Sequence, residues 1–124
     1  MSVDQVGTVG TGVFFVFIFV SGFGLGRSGK PFNGFLLTAH KLIALAAAVL
    51  VLVMLYRVHH VAALEAAEWI AGAISGLFFL STGITGGLLS VDKPMPAIVA
   101  RVHQIAPFLA LISTAATLYL LFGS

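Results

Sequence analysis

Four long stretches almost free of charge dominate this sequence. No Asp, Glu, Lys or Arg occurs in residues 5–26, 69–91 or 102–124, and residues 31–56 contain only Lys41. A helix of about 20 apolar residues crosses the hydrocarbon core of a bilayer. We therefore predict an all-α membrane protein with four transmembrane helices, at about 9–26, 35–57, 69–90 and 97–122.

The composition excludes the common soluble classes. A chain of 124 residues leaves much of its surface exposed, and six basic plus four acidic side chains cannot cover that surface. Hydrophobic residues make up 60% of the chain, which excludes disorder. Cysteine is absent, so disulfides, iron–sulfur ligation and a thiol nucleophile are excluded. No basic run or stripe offers a nucleic-acid surface.

Short connections predict how the helices are arranged. The predicted loops cover residues 27–33, 57–68 and 91–96. Loops this short make successive helices antiparallel neighbours, so we expect one domain, residues 1–124, folded as an up-down-up-down four-helix transmembrane bundle. The first span lacks a basic leading segment and an A-x-A cleavage site, and we expect it to be a membrane helix rather than a signal peptide.

The basic residues predict an orientation in the membrane. Of the six basic residues, only Arg57 lies at the side of the predicted bundle that contains the loop between the second and third helices. The other five lie at the opposite side: Arg27, Lys30, Lys41, Lys93 and Arg101. The positive-inside rule then places both termini on the non-cytoplasmic side, across the cytoplasmic or inner membrane if the source is prokaryotic. A second use for these cations, described below, competes with that interpretation.

The two halves of the chain resemble each other. A shift of 63 residues places Lys30-Pro31 on Lys93-Pro94, His40 on His103 and Tyr56 on Tyr119. Phe15, Gly24, Leu25, Ala47 and Leu55 also meet identical residues. We interpret residues 8–57 and 71–120 as an internal repeat of two similar helix hairpins.

Each half carries one histidine near the start of its second helix. His40 and His103 lie at similar depth, roughly 8–10 Å inside the boundary at about 1.5 Å per residue. An ionisable side chain inside a membrane is costly, and it is a functional hypothesis by default. Two histidines at one depth on parallel helices indicate a shared ligand.

Small residues accompany both histidines. Positions i+4 and i+7 lie on the histidine's own helix face; they are Ala44 and Ala47 after His40, and Pro107 and Ala110 after His103. Helices one and three reach the same depth in Ser21-Gly22-Phe23-Gly24 and in Thr82-Gly83-Ile84-Thr85-Gly86-Gly87. We select Gly22 and Gly83 as candidate cofactor-site residues, although small residues also serve close helix packing.

A haem fits this combination. Two axial imidazoles complete a low-spin iron, and the absence of a C-x-x-C-H motif indicates a non-covalent haem b. Propionate groups need cations, which Arg27, Lys30, Lys41 and Arg101 could supply. We expect one haem per chain, with His40 and His103 as the iron ligands, and no catalytic residue.

The architecture and the two ligands resemble bis-histidine membrane b-type cytochromes, with the cytochrome b561-like group and the haem bundle of cytochrome b as the nearest types. The resemblance spans the whole chain but rests on few residues. It implies electron transport, with a quinone or a neighbouring redox protein as partner. Some proteins of the cytochrome b561-like type act on quinone or superoxide, and the resemblance extends to that oxidoreductase activity. Family members commonly carry two haems, whereas His59 and His60 have no histidine opposite them on helix four, so one haem is expected.

Two other classes stay open. The chain could be a cofactor-free structural subunit whose histidines hydrogen-bond neighbouring helices. It could also be a pigment-binding subunit in which each histidine holds one chlorin. For each of these functions, the small chain is compatible with a homo-oligomer or a larger membrane complex. A zinc hydrolase is disfavoured, because three protein ligands are usual.

Overall fold

The computed structural model describes residues 1–123, and every regular element in that range is a helix. The helices are α1 (Val3–Ser28), α2 (Gly34–Val61), α3 (Ala66–Leu89) and α4 (Ala97–Phe122). Each has 24 to 28 residues, a length of about 36–42 Å at ~1.5 Å per residue. All four are long and apolar enough to cross a bilayer. The predicted fold class, an all-α four-helix membrane protein, is confirmed.

Local signals fix where the helices begin. The Ser2 hydroxyl accepts a bond from the Gln5 amide, and the Gln5 side chain accepts one from the Ser2 amide, which is a capping box. The Asn33 side chain accepts from the amide of Leu36 at 3.0 Å and caps α2. The Glu68 carboxylate accepts from the Glu65 amide at 2.9 Å at the start of α3.

The helices extend beyond the apolar stretches that predicted them. Residues 62–65 alone separate α2 from α3, whereas the sequence predicted a loop over 57–68. Arginine, valine and histidine at 57–61 do not break a helix, so α2 continues after its apolar stretch ends. His59 and His60 therefore lie in the last turn of α2 and not in a loop.

Gly29 ends α1 by a conformation that favours glycine. Its φ angle is +68°, which glycine adopts without the steric cost that a Cβ imposes. Its amide donates to the carbonyl of Leu25 at 3.0 Å and closes the last turn.

The chain divides into two compact units, and each contains an antiparallel hairpin. The first unit is Met1–Tyr56 and contains α1 with most of α2. Here Met54 contacts Gly7, and at the other end of the hairpin His40 contacts Gly22. The second unit begins at Arg57 and contains α3 and α4. These units correspond to the two hairpins that the fold prediction included.

Most of the helix surface is apolar and exposed. Val16, Leu52, Leu80 and Ile112 are examples from the four helices, each about 60% exposed. Such a surface is stable in lipid, because hydrocarbon tails replace water there. The protein is therefore a multi-pass membrane protein in a lipid bilayer.

The buried strip of each hairpin is narrow and contains hydroxyl groups. Thr11, Ser75, Thr114 and Thr117 are each 2% exposed or less. Ser75 and Thr114 share a hydrogen bond of 2.6 Å between α3 and α4. Every buried side-chain nitrogen or oxygen in residues 1–123 has a hydrogen-bond partner, as the absence of water in a bilayer demands.

Candidate histidine sites

His40 and His103 occupy equivalent positions in their helices. Each is the seventh residue, since α2 begins at Gly34 and α4 at Ala97. Six steps of about 1.5 Å place each histidine roughly 9 Å from its helix start. Both side chains are partly buried. The two histidines are thus equally far from the starts of their own helices.

In the first unit, Ser21 of α1 holds the ring of His40. The Oγ atom of Ser21 lies 2.8 Å from Nδ1 of His40. The same hydroxyl donates to the carbonyl of Phe17 at 2.6 Å, one turn earlier in α1. Gly22 lies beside the ring, and a Cβ atom built on it would be 3.1 Å from Cε1 of His40. The imidazole therefore packs directly on the backbone of α1.

The second unit repeats this arrangement with Thr85 of α3. The Oγ1 atom of Thr85 lies 3.1 Å from Nδ1 of His103, and this hydroxyl donates to the carbonyl of Ser81 at 2.7 Å. Nδ1 of His103 is also 3.1 Å from the backbone oxygen of Thr82. A Cβ atom on Gly86 would lie only 2.8 Å from Cε1 of His103. Glycine at 86 thus allows the ring to reach a helix carbonyl.

These contacts define which ring nitrogen carries the proton. A carbonyl oxygen only accepts hydrogen bonds, so the bond to Thr82 requires a proton on Nδ1 of His103. The hydroxyls of Ser21 and Thr85 give their own protons to Phe17 and Ser81. Thr85 therefore accepts from His103, which is an Nδ1–H tautomer with its lone pair on Nε2. At His40, the short bond from Ser21 to the Phe17 carbonyl favours the same form.

The hydroxyl and the glycine are consecutive in both units. Ser21-Gly22 in α1 corresponds to Thr85-Gly86 in α3, an offset of 64, whereas His40 and His103 differ by 63. A constant offset of 63 does not pair these hydroxyl residues. Aligning each helix separately would have found it, because a hydroxyl residue followed by glycine recurs at the histidine level.

The predicted glycines have different surroundings. Gly22, which the sequence analysis placed at the histidine level as a candidate cofactor-site residue, contacts His40. Gly83 is exposed, and a Cβ atom there would meet nothing within 4 Å. Gly86, one of the small residues in the same segment, is the glycine that contacts His103. Spacing along the helix does not distinguish the two.

The small residues after each histidine lie in the hairpin interiors. Ala47 is 0% exposed and Ala110 is 2% exposed, and Ala44 and Pro107 are partly buried. Ala47 lies midway between His40 and Met54, which both contact α1. This strip of α2 therefore contributes to close packing within the first hairpin. The helix α4 continues through Pro107 to Phe122.

The four predicted cations are exposed at the loop ends of the hairpins. Arg27 is in the last turn of α1, and Lys30 follows in the loop, with its Nζ atom 5.9 Å from the centre of the Phe32 ring. Lys41 follows His40 directly, and Arg101 precedes His103 by two residues. Each unit thus presents positive charge at the end where its histidine lies.

The remaining histidines belong to the connection between α2 and α3. Nδ1 of His59 accepts from the amide of Leu64 at 3.2 Å. The His59 ring contacts Trp69 edge-on, with the ring centres 5.3 Å apart. Residues 1–123 contain no group of three or more His, Cys, Asp or Glu side chains that could hold a metal ion. A bis-histidine haem does not need such a group, because the porphyrin supplies four of the six iron ligands.

Comparisons with known proteins identify no relative. No protein-family model, curated protein or solved structure matches the chain.

Proposed function

We propose that this chain is a membrane b-type cytochrome that carries electrons through one non-covalent haem b, with His40 and His103 as the axial ligands. One observation supports this proposal above the others. In both hairpins a histidine at the same helix position is bonded through Nδ1 to a hydroxyl of the partner helix. Histidines that bind metals are commonly oriented by a hydrogen bond from their other ring nitrogen.

The Nδ1 contacts of both rings match this role. An Nδ1–H tautomer has its lone pair on Nε2, and Nε2 is the atom that the proposal assigns to iron. A haem supplies one-electron chemistry when bound, and the protein positions it and adjusts its potential. Arg27, Lys30, Lys41 and Arg101 are exposed at the histidine ends of their hairpins, and positive side chains of this kind pair with carboxylates such as propionate groups.

The electron partners follow from the chemistry. We propose a quinone or a neighbouring redox protein, reached within the membrane or at its surface. The chain would act as an electron-carrying subunit, in a homo-oligomer or a larger complex. The basic residues lie near the loops after α1 and α3, and the positive-inside rule favours a cytoplasmic location for such loops. The termini would then lie on the non-cytoplasmic side. A stand-alone oxidoreductase acting on quinone or superoxide is supported by family resemblance only.

A visible spectrum tests the proposal. The detergent-purified protein, expressed with added haem, is measured oxidised and dithionite-reduced, and haem is quantified as the pyridine haemochrome. We expect a sharp reduced α-band and one haem b per chain. His40→Ala and His103→Ala should each abolish the low-spin spectrum, whereas the control His59→Ala should retain it. A colourless wild-type protein overturns the proposal.

A cofactor-free structural subunit is the second candidate. The observation that favours it is that both histidines already bond the neighbouring helix of their own hairpin, and such bonds link membrane helices. In that case neither histidine variant changes the visible absorbance, and both lower stability. A pigment-binding subunit would lose one of two bound chlorins with each variant.

A further inference from the structure

We infer that Ser21 and Thr85 are positioning residues that hold His40 and His103 as Nδ1–H tautomers and lower the midpoint potential of the bound haem. This inference rests on the proposed function. It adds two residues that the sequence analysis did not select as site residues, and it assigns them a measurable effect on the iron. Neither residue is proposed to touch the haem.

The hydroxyls are fixed as acceptors by their own helices. Ser21 donates to Phe17 at 2.6 Å and Thr85 donates to Ser81 at 2.7 Å. Serine and threonine commonly bond the carbonyl four residues earlier in a helix. Because the hydroxyl proton is used in the bond to that carbonyl, the hydroxyl can interact with the imidazole only by accepting a hydrogen bond through its oxygen lone pairs. The hydroxyl therefore selects the Nδ1–H form of the ring that faces it.

The neighbouring glycine makes the contact possible. Gly22 and Gly86 directly follow the hydroxyl residues and lie against Cε1 of the histidine rings. A side chain at either position would push the ring away from the helix. In the second hairpin, the same closeness brings Nδ1 of His103 within 3.1 Å of the Thr82 carbonyl. Each hydroxyl-glycine pair thus positions one histidine, and in the second hairpin the Thr82 carbonyl acts with Thr85 to fix the tautomer.

The consequence for a ligated iron has a definite sign. A hydrogen bond from Nδ1–H to an acceptor raises the basicity of the imidazole as a ligand. A more basic ligand stabilises the ferric state, which carries the extra positive charge, relative to the ferrous state. Hydrogen bonding around the iron ligands is one way a protein adjusts a haem potential. Loss of either hydroxyl should therefore raise the midpoint potential.

Hydroxyl substitutions in the haem-loaded protein provide the test. Ser21→Ala removes the hydroxyl acceptor beside His40, and Thr85→Val removes one of the two acceptors beside His103, whose bond to the Thr82 carbonyl remains. Ser21→Thr and Thr85→Ser keep the hydroxyls. Ser28→Ala and Ser113→Ala are matched controls, because these serines make the same bonds to earlier carbonyls, at 2.8 and 2.7 Å, with no histidine. Midpoint potentials come from redox titration of the α-band.

We expect Ser21→Ala to shift the ratio of ferric to ferrous iron by about threefold to tenfold towards ferrous. Thr85→Val should shift it in the same direction by less, because the Thr82 carbonyl still accepts from Nδ1 of His103. Tenfold corresponds to a rise of about 59 mV for one electron. The conservative and control variants should keep the wild-type potential. Equal potentials in all variants of a haem-containing protein overturn this inference and leave the proposed function intact, whereas a wild type without haem overturns both.

A second measurement does not depend on the variants folding. In the ferric wild-type protein, proton NMR should show two slowly exchanging, hyperfine-shifted Nδ1–H resonances. A wild-type spectrum in which neither proton is protected from exchange overturns the inference.

Discussion

The imidazole of His103 lies so close to Gly86 that a Cβ atom on residue 86 would fall 2.8 Å from its Cε1 atom. The ring is also bonded at Nδ1 to the Thr82 carbonyl at 3.1 Å. It cannot move away from α3 without stretching that bond. The pair therefore determines how closely α4 approaches α3 at this level.

Substitution of Gly86 by alanine should destabilise the second hairpin. Overpacking of a tight contact costs about 1–3 kcal/mol, and we expect Gly86→Ala to lower the thermal unfolding midpoint in detergent by several degrees. Gly83→Ala and Gly87→Ala are matched controls on the same helix, because a Cβ at either position meets nothing within 4 Å. An unchanged midpoint for Gly86→Ala would show that the ring shifts at no cost.

The corresponding change in the first hairpin should have a smaller effect. A Cβ atom on Gly22 would lie 3.1 Å from Cε1 of His40, so a shift of a few tenths of an ångström relieves the contact. We expect Gly22→Ala to cost about 1 kcal/mol, the low end of the range for overpacking. Gly26→Ala in α1 is the control, with open space at its Cβ. A larger loss for Gly22→Ala than for Gly86→Ala would contradict the difference in distance.

The buried bond between Ser75 and Thr114 should couple α3 to α4. The two hydroxyl oxygens are 2.6 Å apart and both residues are about 1% exposed. Bonds of this kind in membrane proteins average about 0.6 kcal/mol and reach about 1.7. In a double-mutant cycle of Ser75→Ala and Thr114→Val, we expect the combined loss to be smaller than the sum of the single losses. Strict additivity would mean that the bond contributes nothing to stability.

His59 should stabilise the turn between α2 and α3 through two separable contacts. Its Nδ1 atom accepts from the Leu64 amide, and its ring lies against Trp69. His59→Phe removes the acceptor and keeps a ring, whereas His59→Ala removes both. Hydrogen exchange at Leu64 should accelerate in both variants. Trp69 is the only tryptophan, and its fluorescence should shift to the red in His59→Ala alone. An unchanged exchange rate in both variants would contradict the role of the bond.

The helices were predictable from the sequence because their cause is local. Transfer of a residue to lipid depends on its own side chain, so the uncharged stretches identify four spans without any knowledge of packing. The depths of His40 and His103 follow for the same reason, since position along a helix is a count of residues. Capping by Ser2, Asn33 and Glu68 then decides where the first three helices start. As a result, α1 starts at Val3, several residues before the predicted span at about residue 9.

The partners of the histidines depended on the tertiary structure. In the first hairpin the hydroxyl residue and the histidine are 19 positions apart in the sequence, and in the second they are 18 positions apart. An alignment of the two halves at the constant offset of 63 that matches the histidines therefore pairs Ser21 with Ile84 instead of with Thr85. Ile84 is exposed. Contact between two helices depends on the rotation of each about its axis, about 100° per residue. The order of apolar and charged residues along the chain determined the four spans and the positions of the histidines within them. The rotation of each helix about its axis decided that Gly86, and not Gly83, contacts His103, and it brought Ser21 and Thr85 to the two rings.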